Sequence, residues 1–165
     1  MTLELQVVGL VGRSTTFRFE DLSALPGQVG DISEVAHGRE GSAVSFAAVL
    51  EAVGIKSEAR FVTLEAEGDF AASIPLDPIL GQAYIIYGLG GIPLPEGKGG
   101  PVRFLIPDPA ACGTADIDQC ANVKWLKRIE LCAERGRDVR PSTLRAHEEL
   151  HEAERRSEQR SEGGK

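Results

Sequence analysis

The stretch of sequence that decides the fold begins as GGIPLPEGKGGPVRFLIPD, residues 90–108, and resumes as NVKWLKRIEL, residues 122–131. It contains two apolar runs, Val102–Ile106 and Val123–Leu131, which are flanked by loops rich in Gly and Pro. Short apolar runs with such boundaries are typical of β-strands, because Gly and Pro end regular structure and permit tight turns. This part of the chain is therefore predicted to form buried strands joined by sharp turns.

Basic side chains concentrate in the same stretch, although the surrounding chain is acidic. Residues 1–135 carry 18 acidic and 11 basic side chains. Five of the basic ones lie between positions 98 and 128, namely Lys98, Arg103, Lys124, Lys127 and Arg128. Like charges held together must be neutralised or solvated, so the cluster indicates a small anionic ligand. The alternative is a solvated strand edge whose charges prevent edge-to-edge pairing.

Length and composition indicate one globular domain. The chain has 165 residues, of which 42% are hydrophobic and 26% charged. A net charge of −7 argues against nucleic acid as a partner, because binding phosphate backbones needs an extended basic face. The sequence shows no signal-peptide pattern and no apolar run long enough to span a bilayer, so a cytoplasmic protein with no membrane association is expected. Three cysteines, an odd number in a chain of this size, do not suggest a disulfide framework.

Periodicity along the rest of the chain predicts an α+β domain dominated by a mixed β-sheet. Apolar and β-branched residues predict strands at Leu3–Val7, Thr15–Phe19, Arg60–Ala66, Phe70–Pro75 and Ala83–Tyr87. Short helices are predicted at 20–25 and 45–53, the second with Ser45 as its N-cap and Gly54 after its last turn. Residues 27–43 are polar and glycine-rich, and they are predicted to form a long loop, which at this length is usually either functional or disordered.

A series of motifs in the quoted stretch resembles a known family. The matching residues are Gly91, Pro93-Leu94-Pro95, Gly99, Pro101, Arg103, Pro107, Val123-Lys124-Trp125-Leu126 and Ile129. In residue type and order they resemble the molybdopterin-binding domain of sulfite-oxidase-type enzymes, in which an NG-x-PLP, an HG-x-P-x-R and a VKWL segment recur. The N-terminal strands and the DL-x-ALP segment are similar as well, so the resemblance covers about residues 3–134. It implies a mixed-sheet domain that binds molybdopterin or the molybdenum cofactor.

The resemblance also implies roles for three basic side chains. In the family, the HG…R pair and the Lys of VKW contact the pterin and its phosphate. Arg103 and Lys124 lie at the matching positions, while Lys98 stands where the family has His. Lysine can neutralise phosphate as a point charge, but it cannot reproduce imidazole geometry. Lys98, Arg103 and Lys124 are therefore the predicted cofactor-binding residues, and Trp125 is predicted to lie in the core.

The molybdenum ligand of the family has no counterpart here. In the resembled enzymes a cysteine thiolate from the region of residues 27–43 binds the metal, at a position that falls between Ser33 and Ala36. The first cysteine of this chain is Cys112. An oxygen ligand is not a conservative substitute for a soft thiolate. Cys112 and Cys120, in an insert between the two motifs, are weak metal-ligand candidates, since their C-x7-C spacing is not that of a zinc site.

The composition changes after residue 135. Residues 136–165 contain seven acidic and seven basic side chains, two Leu and no aromatic residue. So little apolar surface predicts a charged helical or disordered tail after a domain of residues 1–135. HEELH, residues 147–151, has the H-E-x-x-H pattern of zinc proteases. A charged tail supplies neither a cleft nor a third ligand, so the two His are interpreted as incidental.

Three functions remain open. The favoured prediction is a molybdopterin-binding-like domain that holds a pterin or another small anion and has degenerate redox activity. One alternative is an active small molybdenum-dependent oxidoreductase with a relocated ligand. The other is a non-catalytic scaffold or interaction protein. Whether the chain is an enzyme is undecided, because the basic residues are retained and the ligating cysteine is missing.

Overall fold

The structure describes residues 2–114 and 116–140, except for the side chain of Cys120. These residues form ten β-strands and two α-helices, with short 3-10 turns between them. The structure is a computed structural model. In chain order, strands β1 to β10 are Leu5–Gly9, Thr15–Phe17, Gln28–Val29, Ser42–Ser45, Phe61–Ala66, Ala71–Pro75, Tyr84–Leu89, Ile92–Pro93, Arg103–Leu105 and Leu126–Cys132. The helices α1 and α2 are Phe19–Ser23 and Phe46–Val53.

The strands form two sheets of five. The first has the order β2-β1-β10-β5-β6, in which β1 and β10 are parallel and the other neighbours antiparallel. The second has the order β3-β4-β7-β8, with β9 paired to β7, and all its pairs are antiparallel. Because parallel and antiparallel neighbours occur in one sheet, the predicted α+β fold with mixed sheet is confirmed.

Both predicted helices are confirmed, and α2 begins after the predicted N-cap Ser45 and ends before the predicted Gly54. The Ser45 hydroxyl accepts a hydrogen bond from the Ala48 N–H at 3.2 Å, and Gly54 follows with a φ of 70°. The face formed by Phe46, Val49, Leu50 and Val53 is buried. Among the described residues, no helix is long and apolar enough to cross a membrane.

Apolar residues form two clusters, one on each face of the second sheet. The main core includes Ile85 and Phe104. Their neighbours Ile86 and Leu105 belong to a smaller core, which also contains Ile32, Ala36, Ala43 and Leu94. Successive residues of a strand point to opposite faces, so Arg103 shares the face of Leu105. This places Arg103 on the side of the sheet that the 31–41 loop covers.

The prediction that residues 27–43 form an irregular loop is wrong in part. Ser42–Ser45 forms β4, which pairs with β7, and Gln28–Val29 pairs with β4 as β3. A short 3-10 helix occupies Ile32–Glu34 between them. Both central residues of β4 are buried, one in each core, so its sequence shows no alternation of polar and apolar residues. The strand is recognisable only from its pairing.

Residues 136–140 pack against β6, so contacts with the sheet continue five residues beyond the predicted domain boundary. The Gly136 N–H donates to Ser73 Oγ at 2.9 Å, and the Val139 N–H donates to the Ala71 carbonyl at 3.0 Å. These contacts are made by backbone and polar groups, which apolar periodicity does not reveal. The remainder of the predicted tail, residues 141–165 with HEELH, lies outside the described residues.

Candidate functional site

A glycine turn between β8 and β9 positions the predicted site. Residues Glu96–Lys98 form one 3-10 turn, and Gly99 follows with a φ of 96°, a conformation that favours glycine. The Gly99 carbonyl accepts a hydrogen bond from the Trp125 N–H at 2.7 Å. A Cβ atom on Gly100 would overlap the Leu94 carbonyl group. The backbone of the glycine turn is therefore hydrogen-bonded to the VKW segment at Gly99 and closely packed against Leu94 at Gly100.

Arg103 is a buried cation, and no carboxylate of the described residues forms an ion pair with it. It is 8% exposed. Its Nη1 donates to the Lys98 carbonyl at 3.0 Å, whereas its Nε is buried without a hydrogen-bond partner. Burial lowers the pKa of the Arg103 guanidinium, and the positive charge of Arg39 lowers it further. Arginine stays protonated even so, and it therefore keeps unused donor capacity.

The three predicted site residues meet at Gly99. A Cβ atom placed there would lie 3.3 Å from Arg103 Nη1 and 3.1 Å from Lys124 Cγ. Lys98 is the preceding residue, and its carbonyl is held by Arg103. We refer to Lys98, Arg103 and Lys124 as the cation cluster. Their common location agrees with a shared anionic ligand, and their binding role stays a prediction.

The 31–41 loop adds two charges to the cation cluster that the sequence did not identify. Glu40 forms an ion pair with Lys98 Nζ, and both side chains are about half exposed, at 56% and 45%. Arg39 lies close enough to Arg103 for its charge to act on that guanidinium. Both residues precede β4 in a loop whose local sequence gives no hint of its partners. The available signal was their place in the region where the family carries its metal ligand.

Lys124 and Trp125 also border an apolar concavity of about 380 Å³, with Phe70 and Val123 in its lining. Trp125 is 41% exposed, so the prediction that it lies in the core is wrong. Its φ of 53° turns the residue outward, and the indole Nε1 donates to the Glu96 carbonyl at 2.9 Å. The indole thus braces the glycine turn from outside.

The two remaining basic residues of the quoted stretch lie elsewhere. Arg128 pairs with Glu65 on the neighbouring strand at 2.9 Å. Lys127 and Arg128 line a different concavity of about 550 Å³, together with Glu4, Glu65 and Glu67. For these two residues the alternative of a charged strand surface is the better description.

The described residues offer no metal site. They contain no group of three or more His, Cys, Asp and Glu side chains that could hold a metal ion. Cys112 packs against the main core, whereas Arg103 faces the smaller one. Burial raises the pKa of the Cys112 thiol, and the charge of Asp108 raises it further, which disfavours the thiolate that a metal requires. The prediction of Cys112 as a metal ligand thus gains no support, and the Cys120 side chain is not described.

The fold and the three motifs together define a domain of the molybdopterin-binding class. Residues 40–139 match the family model of the oxidoreductase molybdopterin binding domain, and the chain belongs to this family. The resemblance found in the sequence is therefore confirmed.

Two known proteins are similar to the chain over most of its length. The uncharacterized oxidoreductase YuiH of Bacillus subtilis (strain 168) is 31% identical over 139 residues, which are 79% of this chain and 65% of that protein. The sulfane dehydrogenase SoxCD of Paracoccus pantotrophus has the same fold, with a TM-score of 0.59 at 19% identity, over 80% of this chain and 38% of that chain. The chain thus spans less than two thirds of the length of either relative.

Proposed function

We propose that the chain binds a small phosphate-bearing anion at the cation cluster, and that it does not perform redox chemistry at molybdenum. The pterin phosphate of molybdopterin is the ligand that the family implies. The observation that carries the proposal is Arg103, which is 8% exposed and has an unpartnered Nε. Burying a charged group without a counter-ion destabilises the folded state by several kcal/mol, because the group loses its hydration. A phosphate supplies that counter-ion, since its oxygens accept bidentate hydrogen bonds from guanidinium.

The residues present fit the phosphate end of the family's cofactor, but they do not fit its metal end. The Arg103 guanidinium and the Lys124 side-chain stem lie against Gly99, and Lys98 directly precedes it, so three cationic residues converge on this turn. At the position of the family's thiolate, Ser33, Glu34 and Val35 are exposed and Ala36 is buried in the smaller core. None of these side chains is a soft ligand. We therefore assign no oxygen-transfer step to this chain.

Replacement of Arg103 by Met is expected to weaken binding of pyrophosphate about tenfold to a hundredfold. The estimate follows from about 1.5–3 kcal/mol for a hydrogen bond to a charged group. The fold is expected to tolerate the change, because Met is apolar and Ile86, which pairs with Arg103 across the sheet, belongs to the smaller core. Isothermal titration calorimetry gives the affinity, and urea unfolding gives the stability.

Arg60→Met is the matched control for this experiment. Arg60 is exposed and lies outside the cation cluster, so its replacement removes the same charge from a different position. Its affinity for pyrophosphate is expected to stay within twofold of the wild type, since distant surface charges are screened at physiological ionic strength. Equal losses in Arg103→Met and Arg60→Met would refute the assignment of the anion to Arg103.

The metal content gives a second test. Protein produced in cells that make the molybdenum cofactor is expected to contain far less than one molybdenum per chain, because the protein-derived thiolate is missing. Elemental analysis of the purified protein measures this directly. Stoichiometric molybdenum that disappears in Cys112→Ser or Cys120→Ser would instead establish an oxidoreductase with a relocated ligand.

A further inference from the structure

We propose that Glu40 is an internal counter-ion of the cation cluster, which an anionic ligand must displace from Lys98. The proposal rests on the function proposed above and concerns the regulation and selectivity of the same site. Glu40 lies in the loop that leads into β4, and Lys98 lies in the glycine turn, 58 positions along the chain. The ion pair therefore joins two separate segments over the face of the sheet that carries Arg103.

Glu40 is the only carboxylate of the described residues that forms an ion pair with the cation cluster. Lys98 can serve a ligand only through its ammonium group, because its carbonyl already accepts from Arg103 at 3.0 Å. That ammonium group is bound to Glu40. A phosphate oxygen that approaches Lys98 thus competes with a carboxylate for the same donors.

The neighbouring residue shows why the loop alone does not complete the site. Arg39 acts on Arg103 with a charge of the same sign, so the two guanidinium groups repel each other. The loop therefore places the negative charge of Glu40 beside the half-exposed Lys98 and the positive charge of Arg39 near the buried Arg103. No carboxylate of the described residues forms an ion pair with Arg103 or Arg39, so an added anion would meet two cations that the loop leaves unpaired. The ligand that fits carries at least two negative charges, because it must outcompete one carboxylate and bridge several cations.

Selectivity follows from this competition. Chloride and acetate offer a single charge and gain little by replacing Glu40, which offers the same charge from within the chain. Phosphate and pyrophosphate offer more charge and more acceptor oxygens, so they displace the carboxylate. Every anion must break the same ion pair, so Glu40 lowers the affinity for all of them, and only strongly bound, multiply charged anions occupy the site at low concentration.

The test compares pyrophosphate binding to the full chain with that to Glu40→Gln, at constant ionic strength. Without the competing carboxylate, the affinity is expected to rise about two- to fivefold, the range that an exposed ion pair contributes. Acetate must break the same ion pair, so its affinity is expected to rise by a similar factor from a weaker starting value. Glu34→Gln is the matched control, because Glu34 is an exposed acid on the same loop and its replacement removes the same charge. In a Lys98→Gln background, the effect of Glu40→Gln should shrink to that of the control.

Two negative results have different meanings. If the wild type binds pyrophosphate, Arg103→Met weakens binding as expected, and Glu40→Gln behaves as Glu34→Gln does, the role of Glu40 is refuted and the anion site stands. If neither the wild type nor Glu40→Gln binds pyrophosphate, the proposed function fails, and the role of Glu40 fails with it.

Discussion

Replacement of Gly100 by Ala is expected to destabilise the protein by about 4 kcal/mol or more, the exceptional end of the range for single substitutions. A Cβ atom at this position would overlap the carbonyl oxygen and carbon of Leu94. Backbone atoms cannot rotate away as a side chain can, and Leu94 is only 1% exposed. The strain would have to be relieved by moving the glycine turn, on which the cation cluster is built. Urea unfolding of the variant measures the loss, and pyrophosphate titration is expected to show no binding.

Gly97→Ala is the matched control three residues earlier in the same turn. A Cβ atom at Gly97 meets no atom within 4 Å, and Gly97 is not among the residues with positive φ. Its stability is expected to stay within about 0.5 kcal/mol of the wild type. Equal effects of the two substitutions would mean that the turn adapts, and that close backbone approach does not fix its position.

Arg140→Met is expected to lower the free energy of unfolding by about 2–4 kcal/mol, because it removes one member of a largely buried ion pair and leaves Asp138 in place. The Arg140 side chain is 4% exposed, and that of Asp138 is 14% exposed. The guanidinium donates to Asp138 Oδ2 at 2.8 Å, to Asp118 Oδ1 at 3.1 Å and to the carbonyl of Ser73 at 3.1 Å. It thereby fastens the insert that follows β9 and the segment after β10 to the same strand, β6. Urea unfolding gives the change in free energy.

The control for Arg140 is Arg137→Met. Arg137 is exposed, and its guanidinium donates a hydrogen bond to the carbonyl of Asp69. Removing the same charge there is expected to change stability by less than about 0.5 kcal/mol. The double variant Arg140→Met with Asp138→Asn should recover part of the loss, since it also removes a carboxylate whose remaining ion pair is the longer one with Arg135, at 3.6 Å. A loss in Arg140→Met no greater than in Arg137→Met would contradict the expectation.

The pair also sets a dependence of stability on pH. Burial alone raises the pKa of Asp138, but hydrogen bonds from the Arg140 side chain and backbone outweigh it and hold the pKa below its usual value. A carboxyl group with a lower pKa in the folded state contributes stability that is complete above its unfolded pKa of about 3.9. This contribution is lost as the pH falls through the folded pKa. The difference between wild type and Arg140→Met is therefore expected to be full at pH 7 and smaller at pH 3.

Elements with strong local signals were predicted well from the sequence. The helix α2 has a capping serine, helical spacing of apolar residues and a terminal glycine, and all three features occur in the structure. Strands β5 and β6 pair as consecutive neighbours, from Phe61 with Pro75 to Glu65 with Ala71. In each case the information lies within a few residues of the element it specifies.

The features that were not predicted from the sequence depend on contacts between segments that are far apart in the chain. β4 owes its existence to β7, and Trp125 is held outward by a carbonyl 29 positions away. The cation cluster was predicted because the family motif fixes the order of its residues, and the structure brings those residues together. Glu40 and Arg39 carry no motif, and their relation to Lys98 and Arg103 exists only once the chain has folded. Local periodicity cannot encode such pairs.

The placement of β10 between β1 and β5 has a consequence for how the protein is made. In the hairpins β1–β2 and β5–β6, the outer sides of β1 and of β5 stay unpaired until β10 is inserted between them. Gly9 acquires its parallel neighbour Leu131 only after nearly the whole described chain has left the ribosome. The second sheet, which ends with β9 at Leu105, can assemble earlier. During synthesis the nascent chain therefore exposes the two strand edges that β10 later covers, and these are surfaces through which unfinished chains associate and which chaperones must shield.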